Sequence, residues 1–192
     1  ANPDFIVMNN LGADQTAAIK QASELGLTKK MKIFCTKTAM HTIKELGPAY
    51  DENIYGGKTF FWKLRDKYAT SRKFMDNYMK RYGQPIEQDG ESGYVATHVL
   101  FMAVEKAGTV ADKAKIMTAM EGLKYELTKG PEYVRACDHQ RVQSYLIVRG
   151  KGKNAKDWDI ADIVAEVPGE SIIMSCEDNK KKLPFANIKL PK

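Results

Sequence analysis

The residues of this sequence able to do covalent or acid–base chemistry are few, and their spacing argues against an enzyme. His41 falls in a helical stretch without HExxH or related metal spacing, His98 lies inside an apolar helical run, and His139 sits in a turn. Cys35, Cys137 and Cys176 form no CxxC pair and have no His or Cys at zinc spacing, so neither a metal nor a cofactor is implied. The GxSxG, GxxxxGK(S/T) and GxGxxG patterns of acyl transfer, nucleotide hydrolysis and dinucleotide binding are missing.

What remains is chemistry of recognition. Two polar strings, Met8-Asn9-Asn10-Leu11-Gly12 and Cys35-Thr36-Lys37-Thr38, each follow an apolar run, Phe5 to Met8 and Met31 to Cys35. In open parallel sheets ligands bind outside the carboxyl ends of the strands, where helix N-termini expose N–H groups and a partial positive charge. Asn9, Asn10, Leu11, Thr36 and Lys37 are therefore the candidate binding residues. Asn and Thr at such places also serve simply as turn and cap residues.

The elements that must position these strings follow from periodicity. Asp14 caps a helix to about Leu25 with Ala18, Ala22 and Leu25 near one face, Gly26 stops it, and the second apolar run follows at the distance of a βαβ crossover. Thr36 to Leu46 reads as a shorter helix closed by Gly47-Pro48, and Tyr55 to Trp62 as extended chain with a Gly56-Gly57 pair. Phe74, Tyr78, Met79 and Tyr82 mark a helix from Tyr68 to Gly83. A second helix, about Ser92 to Ala107, is apolar enough to be buried on several sides, and a third runs near Ala111 to Met120. After Gly130-Pro131, Tyr133 to Ala136 and Ser144 to Val148 read as a hairpin about the turn Asp138 to Arg141. Asp157 to Val167 is ambiguous, and the chain is polar from Gly169. The class is α/β with a parallel sheet.

Composition bounds the partners. With 192 residues, 43% hydrophobic and 28% charged, the chain is a globular protein. The net charge of +6 is spread among 24 acidic residues, and the densest basic run, Lys180-Lys181-Lys182, reads as a solvated tail, so no nucleic-acid partner is implied. No window has the apolar length of a membrane span, and Ala1 to Phe5 lacks the charged and apolar regions of an export signal. Three cysteines are compatible with one disulfide and one thiol, or with three buried thiols.

The order of residues resembles a known family. Pro3-Asp4-Phe5-Ile6-Val7-Met8, then Gly12-Ala13-Asp14, Ile19-Lys20-Gln21-Ala22 and Glu24-Leu25-Gly26-Leu27, is similar to a segment of the type I periplasmic solute-binding proteins for branched-chain amino acids and related solutes. The series continues with Phe74 to Gly83, Gly93-Tyr94-Val95-Ala96, Ala103 to Gly108, and Arg135-Ala136-Cys137-Asp138-His139-Gln140. No single motif is diagnostic; the order carries the resemblance.

The resemblance implies a two-lobed clamshell of which this chain is a C-terminal portion: residues 1–62 part of the second lobe, 63–136 part of the first, and 137–192 a return to the second with a tail. It implies an extracytoplasmic protein that delivers a small solute to an ABC permease, with a signal peptide expected upstream; a ligand-sensing regulatory module of the same fold is the alternative. Export to an oxidising compartment points to a Cys137–Cys176 disulfide with Cys35 free. The family's loop after the second strand carries a glutamate for the solute ammonium, and the ungapped match puts Lys37 there. That reversal of charge favours an organic acid, including an aromatic one, over an α-amino acid, with Tyr94 stacking on it and Asn9, Asn10 and Thr36 hydrogen bonding. Uncovered sheet edges predict self-association.

Overall fold

The computed structural model describes residues 3–182 and opens with β1 (Phe5–Met8), α1 (Gly12–Glu24), β2 (Lys32–Cys35), α2 (Met40–Leu46) and β3 (Ile54–Lys58). The three strands are parallel, with Phe5 opposite Lys32, Met8 opposite Cys35 and Ile33 opposite Ile54. Gly26, at φ +67°, provides the left-handed residue that turns the chain after α1. α2 begins at Met40 rather than at the predicted Thr36. The Thr38 carbonyl is held by the buried Lys58 amine at 2.5 Å, and the Met40 N–H donates to the Glu87 carboxylate, so neither group joins a helix starting earlier.

Extended chain predicted to Trp62 ends at Lys58, and Trp62–Asp66 is a 3-10 turn that buries Phe60 and Phe61 beside it. α3 (Ala69–Tyr82) ends at Gly83, φ +70°. α4 (Gln88–Ala107) starts four residues ahead of the predicted Ser92 because the Glu87 side chain caps it, accepting from Gln88 N. Its expected burial on several sides is not met: Val95, Val99 and Ala103 are buried, but Leu100 and Phe101 are 45% and 63% exposed, with nothing covering that face among the described residues. α5 (Lys113–Met120) is capped by Asp112, and β4 (Lys124–Tyr125), β5 (Glu132–Val134) and β6 (Arg141–Val142) form a small antiparallel sheet.

The predicted hairpin is divided between two sheets. β5 pairs with β6, whereas β7 (Tyr145–Gly150) joins β3 antiparallel and β8 (Ala161–Val167) adds antiparallel to β7. The principal sheet, ordered β1-β2-β3-β7-β8, is therefore mixed rather than wholly parallel: β1, β2 and β3 are parallel, while β7 pairs antiparallel with both β3 and β8. The turn at Asp138 is drawn instead toward α6 (Cys176–Lys182). The Cys137 and Cys176 sulfurs are bonded, with Cα atoms 6.1 Å apart, and Asp138 accepts from Arg135 and from Asn179. Cys35 is a buried free thiol, raised to about 11 by burial.

Two apolar cores result. The larger lies against the principal sheet and includes Ile19, Ile33, Ile54, Phe61, Met75 and Leu146; the smaller joins Val95, Val99, Tyr125 and Val134. The chain leaves the larger core after Ile86 and rejoins it at Leu146. A buried polar network fills the junction. Arg141 Nη2 lies 2.9 Å from Glu91 Oε1 and from Glu132 Oε1, and Thr128 donates to Glu91. Lys129 donates to the Thr59 and Ser144 carbonyls. Burial lowers Lys129 to about 8 and raises Glu132 to about 7, against the pull of Arg141 and Lys129 on the carboxylate.

The two sheet edges differ. Among the described residues β1 pairs only with β2, and it exposes Phe5 and Val7 on one face, at 62% and 53%. On β8, Asp162 binds Lys63 at 2.6 Å and Glu166 binds Lys67 at 2.6 Å, so that edge is dressed with charge.

Candidate functional site

At the carboxyl ends of β1 and β2 the two polar strings meet. Thr36 N donates to Met8 O at 3.0 Å, extending the parallel ladder by one bond, and the Thr36 hydroxyl donates to Asn9 Oδ1 at 2.6 Å. Asn10 Nδ2 donates to Asp14 O, while Asn10 Oδ1 is sheltered from solvent and has no partner among the described residues. A sheltered acceptor without a donor is costly, and a ligand donor would satisfy it. Leu11 precedes α1 in extended conformation and is 54% exposed. Gln15, almost wholly buried, clamps both loops: its amide donates to Asn10 O and to Lys37 O, each at 2.9 Å.

The second loop is fixed from below. The Tyr145 hydroxyl donates to Thr36 O, an approach that requires Gly57, since a Cβ there would lie 2.4 Å from Thr36 O. Lys58, fully buried, reaches Glu87 at 3.2 Å as well as Thr38 O; burial lowers its pKa and the Glu87 charge opposes that. Glu87 thus binds the start of α2, the amine of β3 and the first N–H of α4 together. In the first turn of α4, Asp89 receives Lys37: Nζ to Oδ1 is 2.7 Å, with both side chains substantially exposed. The end of β2 and the start of α4 therefore face each other through an ion pair.

Five of the six candidates, Asn9, Asn10, Leu11, Thr36 and Lys37, share this place. Tyr94 lines a separate groove between α3 and α4 whose described lining includes none of them. Gln15, Lys58, Glu87 and Asp89 escaped sequence reading. Lys58 did leave a signal, a lone cation in an otherwise apolar and aromatic extended run; Gln15 and the two carboxylates look like ordinary first-turn helix residues.

Comparison with known proteins bears on the family and the fold. A family model described as Periplasmic binding protein matches residues 1–156. A Leu/Ile/Val-binding protein homolog 6 of Brucella abortus is 31% identical over 87 residues, 44% of this chain and 22% of that protein. The amino acid ABC transporter substrate-binding protein of Pseudomonas fluorescens Pf-5 superposes with TM-score 0.76 at 24% identity, over 87% of this chain and 45% of that one. A solute-binding protein of Rhodopseudomonas palustris BisB5, solved with 3,4-dihydroxy benzoic acid, gives 0.72 at 22%, over 87% and 46%. The chain spans less than half the length of these relatives, which are solute-binding proteins rather than enzymes. With the type I fold and a match over most of its length, the chain belongs to the periplasmic binding protein family.

Proposed function

We propose that this chain is part of an extracytoplasmic solute-binding component of an ABC transporter, acting by binding and not by catalysis, and that its solute is a small organic acid held at the ends of β1 and β2. The carrying observation is the convergence there of Thr36, Asn9, the unpartnered Asn10 Oδ1 and the Lys37 amine. A solute carboxylate takes the place of Asp89 on Lys37, and Asn10 accepts a solute hydroxyl. The relative solved with 3,4-dihydroxy benzoic acid supports a carboxylate that also carries hydroxyl groups. The two cores divide the lobes later than residues 62 and 137: the chain up to Ile86 and again from Leu146 belongs to one lobe and the residues between contribute to the other, the solute lying between them and the closed form docking on a permease. The disulfide supports an oxidising compartment. The free β1 edge, with Phe5 and Val7 exposed, supports self-association of the chain.

The test is amide-resolved titration of the chain with aliphatic and aromatic carboxylates, leucine and valine. Carboxylates are expected to shift Asn10, Thr36 and Lys37, and Lys37→Ala to abolish the response. A response to leucine or valine alone, or an unchanged response in Lys37→Ala, rejects the organic-acid reading.

A further inference from the structure

The groove between α3 and α4, with a volume of about 660 Å³, has a composition unlike the strand-end site. Phe74, Tyr78 and Tyr82 recur every four residues on α3 and so share one face, and Tyr94 of α4 closes the row. Successive ring centroids are 4.7 Å apart from Tyr94 to Phe74, 6.5 Å from Phe74 to Tyr78 and 4.5 Å from Tyr78 to Tyr82, so the wall is a continuous aromatic strip. α4 leaves the space open. Gly90 lines the groove without a side chain, and a Cβ there would meet the buried Ile86 at 3.0 Å.

The cations stand toward the two ends of that strip, with Asn77 between them. Arg81 lies over the Tyr82 ring at 5.4 Å, and Lys73 stands eight residues earlier; neither forms an ion pair among the described residues, and Glu126 is the one carboxylate among those lining the groove. Near the start of α3 the Thr70 hydroxyl is sheltered from solvent and unpartnered. From Thr70 to Arg81 the helix rises about 16 Å, beyond the reach of a single-ring acid.

We propose that this groove is a second ligand site, for an elongated two-ring aromatic carboxylate whose rings lie along the Tyr94–Phe74–Tyr78–Tyr82 strip and whose carboxylate meets Arg81. Flat rings match a wall of ring faces and edges, and the uncompensated guanidinium recognises a planar anion in a bidentate manner. At the other end Lys73 and Thr70 favour a ligand with a hydrogen-bonding substituent remote from the carboxylate. The site shares no residue with the strand-end site and stands or falls independently of the function proposed for it.

Biphenyl-4-carboxylate, its neutral carboxamide and benzoate distinguish the possibilities when titrated by NMR into the chain and its variants, with binding read at the groove residues Phe74, Tyr78, Tyr82 and Tyr94 and not at the strand-end site. Biphenyl-4-carboxylate is expected to bind more tightly than either comparator. Arg81→Gln, at an exposed helical position that leaves the fold intact, should weaken it by about fivefold, the range of a partly exposed ion pair. Tyr94→Leu, which keeps an apolar side chain but removes the ring, should weaken it by about the same factor. Lys37→Ala should leave it unchanged. Equal binding of the carboxamide, equal binding of benzoate, indifference to both Arg81→Gln and Tyr94→Leu, or loss in Lys37→Ala would each overturn the proposal.

Discussion

Lys129 carries its amine into the junction between the two cores, where its direct contacts are the Thr59 and Ser144 carbonyls and the nearest carboxylate oxygen, on Glu132, is 3.9 Å away. Burial therefore dominates and holds the amine at about 8, below its ordinary 10.5. Between these values the unfolded chain binds more protons than the folded one, so this residue makes stability rise with pH from about 8 to 10.5 and costs about 3 kcal/mol below that window. Subtracting the urea-unfolding profile of Lys129→Met from that of the parent should reveal this rise; parallel profiles would show that the amine is not desolvated. Burial lowers Lys58 as well, but there the Glu87 carboxylate at 3.2 Å opposes it. Glu87→Ala leaves a buried ammonium without its carboxylate and should cost about 3 to 5 kcal/mol, whereas Lys58→Met, which removes the charge and keeps the volume, should cost clearly less. Denaturant midpoints at pH 7 rank the two; the reverse order would contradict the assignment of Glu87 as the counter-ion.

At the scale of elements, what periodicity can express was legible. β1, the body of α1, β2 and α3 lie where the apolar runs and the helical recurrences put them, because those signals are local to each element. What failed was decided by partners remote in sequence. The start of α2 depends on Lys58 and Glu87, and α4 was read too short because its cap is a glutamate. The hairpin was misassigned because Tyr145 to Gly150 finds a better neighbour in β3, ninety residues away, than in the strand next to it. In the candidate site the strand-end strings were readable as loops after apolar runs, while Gln15 and Asp89 could only be found once distant loops were brought together. α6 is an element held from outside its own sequence, through Cys176 and Asn179. In the chain-entropy view, closing that loop of 39 residues stabilises by about 4 kcal/mol. Native protein should incorporate no iodoacetamide, mild reduction should expose two alkylation sites, and Cys35 should label only after unfolding; a third label in the reduced native protein would mean that Cys35 is accessible.

At the scale of the whole molecule, the larger core and its sheet are asymmetric in what they leave uncovered. β1 presents Phe5 and Val7 and a backbone edge unpaired among the described residues, while β8 carries Asp162 and Glu166 already bound by lysines. Sedimentation equilibrium is expected to show concentration-dependent association that Val7→Lys abolishes, since a charge in the middle of a four-residue edge must be desolvated on pairing. Persistence of association in Val7→Lys would locate the contact elsewhere, for instance at Leu100 and Phe101. The asymmetry also sets where growth stops. If the β1 edge of the principal sheet is the contact, a copy joined through it must present the same strand in return, about a two-fold axis, and the pairing consumes both β1 edges. Such a pair would carry a ten-stranded sheet ending on either side in a charged β8 strand, so this sheet would offer no β1 edge for further growth.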